Sequence, residues 1–190
     1  MFHKYRYIEE MCNRASNNWH TENGRRYVLK IMIADRKSIE KMSSNVFNDS
    51  TALISINDFD DMCVELIHKP NFLLRVAFDD VDNDVIEDEG GLYVTEDEIR
   101  IIEEKYHMFS DAMAKEISMF YFSVCDKIDC LICQCEHGQS RSAAVAAAIL
   151  EFRNKKGIKV FASDRYYPNK VVFRKMLMAL KNYENVEKRL

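Results

Sequence analysis

The segment CLICQCEHGQSRSAAVAAAIL, residues 130–150, constrains the fold more than any other stretch of this chain. An apolar, β-prone run from Cys130 to Cys133 gives way to a polar loop from Cys135 to Arg141 containing one glycine, Gly138. An alanine-rich stretch from Ser142 to Lys155 then reads as a helix closed near Gly157. A strand that passes through a short loop straight into a helix is the repeating unit of layered α/β structures.

The rest of the sequence supplies partners for that unit. YVLKIMIA, beginning at Tyr27, reads as a strand, DRKSIEKM has helical spacing through Ile39 and Met42, and TALISI is another short strand. A helix is expected around Met62 to His68. In FLLRVAF, residues 72–78, Phe72, Leu74, Val76 and Phe78 share one parity and therefore one face of a third early strand. Residues Asp79 to Gly91, acidic and with Gly90 and Gly91 adjacent, read as a loop whose acids are expected to be solvated. Thr95 to Glu98 match a capping box, and Ile99, Ile102, Tyr106, Phe109, Met113, Ile117 and Phe120 follow at intervals of three and four, which predicts one long amphipathic helix. A last helix starts near Pro168 and Asn169 and runs through Val172, Met176 and Leu180. The expected fold class is α/β, with a central, mainly parallel sheet flanked by helices. Residues 1–26 are expected to form an N-terminal extension and residues 27–190 a single domain.

Composition narrows the function classes. Lys plus Arg number 27 and Asp plus Glu 31, a formal charge of −4, so nucleic acid is not an expected partner. With only 5 Gly and 2 Pro in 190 residues and apolar residues throughout, the chain is a folding one. Charge is uneven, acidic from Asp79 to Glu104 and basic from Arg141 onward. The longest apolar stretch, Ala143 to Leu150, is far below the roughly 18 residues of a bilayer span, and MFHKYRYIEE places charges where a signal peptide would place its apolar core. No membrane association and a cytoplasmic location are expected. Of six cysteines, Cys125, Cys130, Cys133 and Cys135 crowd together, which suits reduced thiols better than a disulfide frame. The C-x-x-C-x-C spacing lacks a second, distant Cys or His pair, so no metal and no cofactor is expected.

The loop after the Cys130 strand carries the chemistry. Glu136, His137, Gly138, Gln139 and Ser140 lie where backbone N–H groups and the positive end of the next helix converge on one point, an arrangement that holds a phosphate dianion. The same field stabilises a thiolate and makes Cys135 a nucleophile. Arg141 offers a planar fork for two phosphate oxygens, which Lys lacks. Gly138 permits a close backbone approach.

Cys135-Glu136-His137-Gly138-Gln139-Ser140-Arg141-Ser142 resembles the C-x5-R-S signature of the cysteine-dependent protein tyrosine phosphatases, nearest to the dual-specificity-like branch, in element order over roughly residues 27–180. The resemblance implies that Cys135 attacks phosphorus to form a phosphocysteine. It further implies that Arg141 binds substrate and transition state, and that Ser142 stabilises the leaving thiolate. It also implies an Asp on a loop after an earlier strand as proton donor. FDDVDND follows FLLRVAF, and strand parity from Phe78 selects Asp80, with Asp82 as the alternative and Asp79 facing away. Gln134 stands where many family members have His, and His137 where a small residue is common; His137 is assigned no catalytic role. Asn169 has two readings, a helix cap or a residue near the site. Tyr166 and Tyr167 are read as packing residues or as a border of the substrate cleft. Cys130 and Cys133 are read as buried strand residues, or as partners able to capture an oxidised Cys135. The expected partner is a phosphorylated protein or small phosphomonoester, and the sequence leaves phosphotyrosine and other phosphomonoesters open. A noncatalytic phosphate-binding module and a thiol redox or sulfur-transfer protein are the alternatives.

Overall fold

Four short runs of alternating or wholly apolar residues pair into one sheet in the computed structural model, which describes residues 29–42, 46–82 and 95–187. They are β1 (Lys30–Asp35), β2 (Thr51–Asn57), β3 (Phe72–Ala77) and β4 (Cys130–Cys135). The order is β1-β4-β2-β3, and every pairing is parallel. The expected parallel α/β architecture is the observed one. Its consequence for function is positional: all four strands end at the same edge, with β4 between β1 and β2.

Six helices accompany the sheet among the described residues: α1 (Arg36–Glu40), α2 (Glu96–Lys105), α3 (Asp111–Val124), α4 (Arg141–Asn154), α5 (Ile158–Phe161) and α6 (Lys170–Glu187). Strand pleating divides the core. Ile31, Ile54, Val76, Leu131 and Cys133 face the layer of α3, α4 and α6, whereas Met32, Leu53 and Ile132 pack with Ile39, Met42, Phe47 and Val64 on the opposite face. The small side chains of α4 let it lie between the sheet and its neighbouring helices, and every residue from Arg141 to Leu150 is buried. A helix apolar on all sides is stable only in such a central position.

Two expectations need correction. Residues 62–68 form no helix. Val64 is pinned instead, with its N–H on Asn57 Oδ1 at 3.4 Å and its carbonyl accepting from Arg75 at 3.0 Å, while Met62 and Ile67 face solvent. The periodic run from Ile99 to Phe120 is two helices rather than one. His107 adopts a left-handed backbone with φ 44°, and Ser110 starts the second helix by accepting from the N–H of Met113. Lys175 on α6 seals the break by donating to the Phe109 carbonyl and pairing with Glu103, both at 3.0 Å. The Thr95–Glu98 capping box is present as expected. The N-terminal extension, the proposed strand start at Tyr27 and the acidic loop beyond Asp82 lie outside the described residues. No helix among the described residues is long and apolar enough to cross a membrane.

Candidate active site

β4 delivers Cys135 to the carboxyl edge of the sheet, paired in register with Asp35 at the end of β1. Residues 136–140 then turn the chain into α4. Gly138 makes the turn close enough: its φ is +64°, and a Cβ there would lie 2.7 Å from the Asp35 nitrogen and 2.8 Å from the Ala34 carbonyl carbon. Those are backbone atoms with little freedom to shift, so Gly is required on both grounds. Glu136 secures the outer side, accepting from the Arg36 N–H at 3.1 Å with its carbonyl and from Arg36 Nη1 at 3.2 Å with its carboxylate. Tyr167 secures the other flank by donating its N–H to the Gln139 carbonyl at 2.9 Å.

Inside this loop, Cys135 Sγ lies 3.0 Å from Ser142 Oγ, with both residues buried. Ser140, at the N-cap of α4, makes no side-chain bond to the helix and instead donates its hydroxyl to Asp80 Oδ1 at 2.7 Å. The first turn of α4 therefore lacks a side-chain cap from Ser140.

Arg141 is the one buried charged residue among the described residues, its side chain only 4% exposed. Its Nη1 donates to the Phe78 carbonyl at 2.8 Å and meets Asp58 Oδ1 at 2.6 Å. Its Nε is buried without a hydrogen-bond partner, 3.9 Å from Asp80 Oδ2. An unpaired donor on a buried guanidinium costs free energy unless an external acceptor reaches it, and it lies on the edge that forks toward two oxygens.

Asp80 and Asp79 turn to opposite sides of the chain. Asp80 faces the loop and accepts from Ser140 and, at 3.2 Å, from Asn169 Nδ2. Asp79 faces away, accepting from the Phe59 N–H at 3.0 Å and standing 3.4 Å from His107 Nδ1. Asp82 lines a cleft of about 470 Å³ with Asp80, Ser140, Phe161, Tyr166 and Tyr167. Both tyrosines thus border the cleft, and Tyr166 also packs on the core. Asn169 fulfils both of its readings, capping α6 through the N–H groups of Val171 and Val172 while bonding Asp80 and the Val81 carbonyl.

His137 is exposed. Gln134 points to the opposite side of β4 from Cys135, where its Oε1 accepts from Ser55 at 2.8 Å within the sheet. Burial pushes the Cys133 thiol well above its ordinary value and those of Cys125 and Cys130 up to about 11. Asp58, Asp61 and Glu136 bring three carboxylates together, and Arg36 bonds two of them, so a guanidinium supplies the counter-charge there.

The sequence reading missed Asp58 and the Phe78 carbonyl as holders of Arg141. One signal existed: an acid directly after the β2 strand, at the sheet edge where ligands gather.

No protein-family model and no curated protein sequence matches the chain. Solved structures do. The likeness is one of fold, to solved structures of phosphatases and a phosphatase-like protein. The chain is similar to human DUSP28, at 13% identity over 82% of this chain and 94% of that one, with a TM-score of 0.49. It is also similar to the human tyrosine phosphatase-like serine/threonine/tyrosine-interacting protein, at 18% identity over 83% and 92%, with a TM-score of 0.44.

Proposed function

We propose that this chain is a metal-independent phosphomonoester hydrolase of the tyrosine or dual-specificity type, acting in the cytoplasm on a phosphorylated protein or small phosphomonoester. One unit over residues 27–190 carries the activity. The observation that carries the reading is the joint placement of Cys135 Sγ, 3.0 Å from Ser142 Oγ, and a buried Arg141 whose Nε has no protein acceptor.

The chemistry follows from those positions. The phosphoryl group enters the cradle of residues 136–140, with its oxygens on backbone N–H groups, the start of α4 and the Nε edge of Arg141. Cys135 Sγ forms a bond to phosphorus as the bond to the leaving oxygen breaks, and the Asp80 carboxyl gives that oxygen its proton. Water then attacks the phosphocysteine, surrendering a proton to the Asp80 carboxylate. The P–S bond breaks, inorganic phosphate leaves, and the Ser142 hydroxyl donates to the thiolate that re-forms. Asp80 is aimed by Ser140 and Asn169, which tie the acid loop to the phosphate loop and to α6.

Hydrolysis of p-nitrophenyl phosphate by wild type and Cys135→Ser tests the reading. Turnover that vanadate inhibits and Cys135→Ser abolishes is expected. Vanadate or phosphate binding without turnover would instead make the chain a phosphate-binding module, and a reactive thiol that ignores both anions would make it a redox or sulfur-transfer protein. Alkylation supplies a second check. At pH 7 the raised thiols of Cys125, Cys130 and Cys133 are protonated, so iodoacetamide should spare them, and phosphate should protect Cys135.

A further inference from the structure

A fork with five donors recognises phosphate only if its free edge is already turned to the ligand, and a long side chain such as Arg gives up rotamer freedom on being fixed. In this chain that fixing precedes the ligand. Arg141 Nη1 is held from two strand ends at once, by the Phe78 carbonyl at 2.8 Å after β3 and by the Asp58 carboxylate at 2.6 Å after β2. The opposite donor, Nε, is left buried and unsatisfied.

We propose that Asp58 is a positioning residue for phosphoryl binding: it holds Arg141 by its outer nitrogen so that the Nε edge meets the incoming oxygens. The proposal rests on the phosphoryl-transfer reading above. Topology explains why this residue is placed to do it. β2 lies between β4, which carries Cys135, and β3, which leads to Asp80. The first residue after β2 therefore stands between nucleophile and acid. The carbonyl of Phe78 alone would orient Nη1, but it carries no charge to balance a guanidinium that is 4% exposed.

Asp58 also opposes phosphate, because it is a second negative charge near a dianion. The two effects differ in environment. The tether acts at 2.6 Å on a buried group, whereas the Asp58 side chain is itself 40% exposed, so water and salt weaken its repulsion of the ligand. The tether therefore prevails, and the sign of the effect on phosphate affinity decides the matter.

The test measures kcat and KM for p-nitrophenyl phosphate, and inorganic phosphate affinity by calorimetry. The proteins are wild type, Asp58→Asn, Asp58→Ala, Arg141→Lys and the double variant Asp58→Ala/Arg141→Lys, each checked for folding by circular dichroism. Asp58→Ala is expected to weaken phosphate binding and lower kcat/KM by about tenfold or more, the scale of a lost charged hydrogen bond. Asp58→Asn keeps an acceptor oxygen and should recover part of the loss; it also serves if the alanine variant does not fold. In the Arg141→Lys background the Asp58 change should add little, because its effect runs through the guanidinium.

Unchanged or tighter phosphate binding in folded Asp58→Ala or Asp58→Asn, or full additivity with Arg141→Lys, overturns the tether and leaves the phosphatase reading intact. If the wild type binds phosphate without hydrolysing it, hydrolysis falls and the affinity comparison still decides the tether. A wild type that neither binds nor hydrolyses removes both.

Discussion

Ser110 and Ser140 stand at the N-caps of two helices of 14 residues, α3 and α4, and their hydroxyls point in opposite senses. Ser110 Oγ accepts from the N–H of Met113 at 3.2 Å and closes its helix from within. Ser140 Oγ turns outward and donates to Asp80 at 2.7 Å, leaving the start of α4 without a side-chain cap. A missing cap costs about 1 kcal/mol, which α4 offsets by being buried along its first ten residues, Arg141 to Leu150. The difference separates a helix start closed by its own cap from one whose serine is turned to Asp80, which under the proposed function leaves its donors to the phosphoryl group.

The most severe way to break this comparison is Gly138→Ala. A Cβ 2.7 Å from the Asp35 nitrogen at φ +64° forces the loop away from β1 and swings the start of α4 out of line. Calorimetry should detect no phosphate binding, and denaturant titration should show a loss of about 2 kcal/mol or more. Asp80→Asn, which keeps the Ser140 contact geometry but cannot supply a proton, should reduce kcat about hundredfold on phenyl phosphate and less on p-nitrophenyl phosphate, whose leaving group needs no acid. Asp79→Asn, one residue away on the other side of the strand, should leave turnover within about twofold. If Asp82→Asn rather than Asp80→Asn loses turnover, the strand parity ends before residue 80. The smallest effects sharpen the contrast between the serines. Ser110→Ala should cost about 1 kcal/mol of stability with turnover unchanged, whereas Ser140→Ala should leave stability nearly as it was and lower kcat several-fold by freeing Asp80.

Much of this was legible in the sequence, because the signals were local. The alternation in FLLRVAF fixed the face of Phe78 and so the directions of Asp79 and Asp80, and the run from Cys130 through Arg141 announced strand, loop and helix. Thr95 to Glu98 marked a helix start that the structure contains. The failures were tertiary. Nothing in the period from Ile99 to Phe120 signals that His107 takes a left-handed backbone, since its apolar spacing continues through the break, although Ser110-Asp111 is a start signal in hindsight. Residues Met62 to His68 read as a helix, yet Val64 is held by Asn57 and Arg75 from two different strands. Asp58 was invisible for the same reason: its partner is 83 positions away in the chain, and only the strand order brings them together.

The central claim is that phosphorus passes through one sulfur. Asp80→Asn should slow release of phosphate from that sulfur, since its amide cannot take a proton from water. Rapid acid quench of this variant during turnover of p-nitrophenyl phosphate, followed by peptide mass spectrometry, should find one phosphoryl group on Cys135 and none in a Cys135→Ser control. Steady hydrolysis with Cys135 never phosphorylated, or with the phosphoryl group on another residue, would contradict the account.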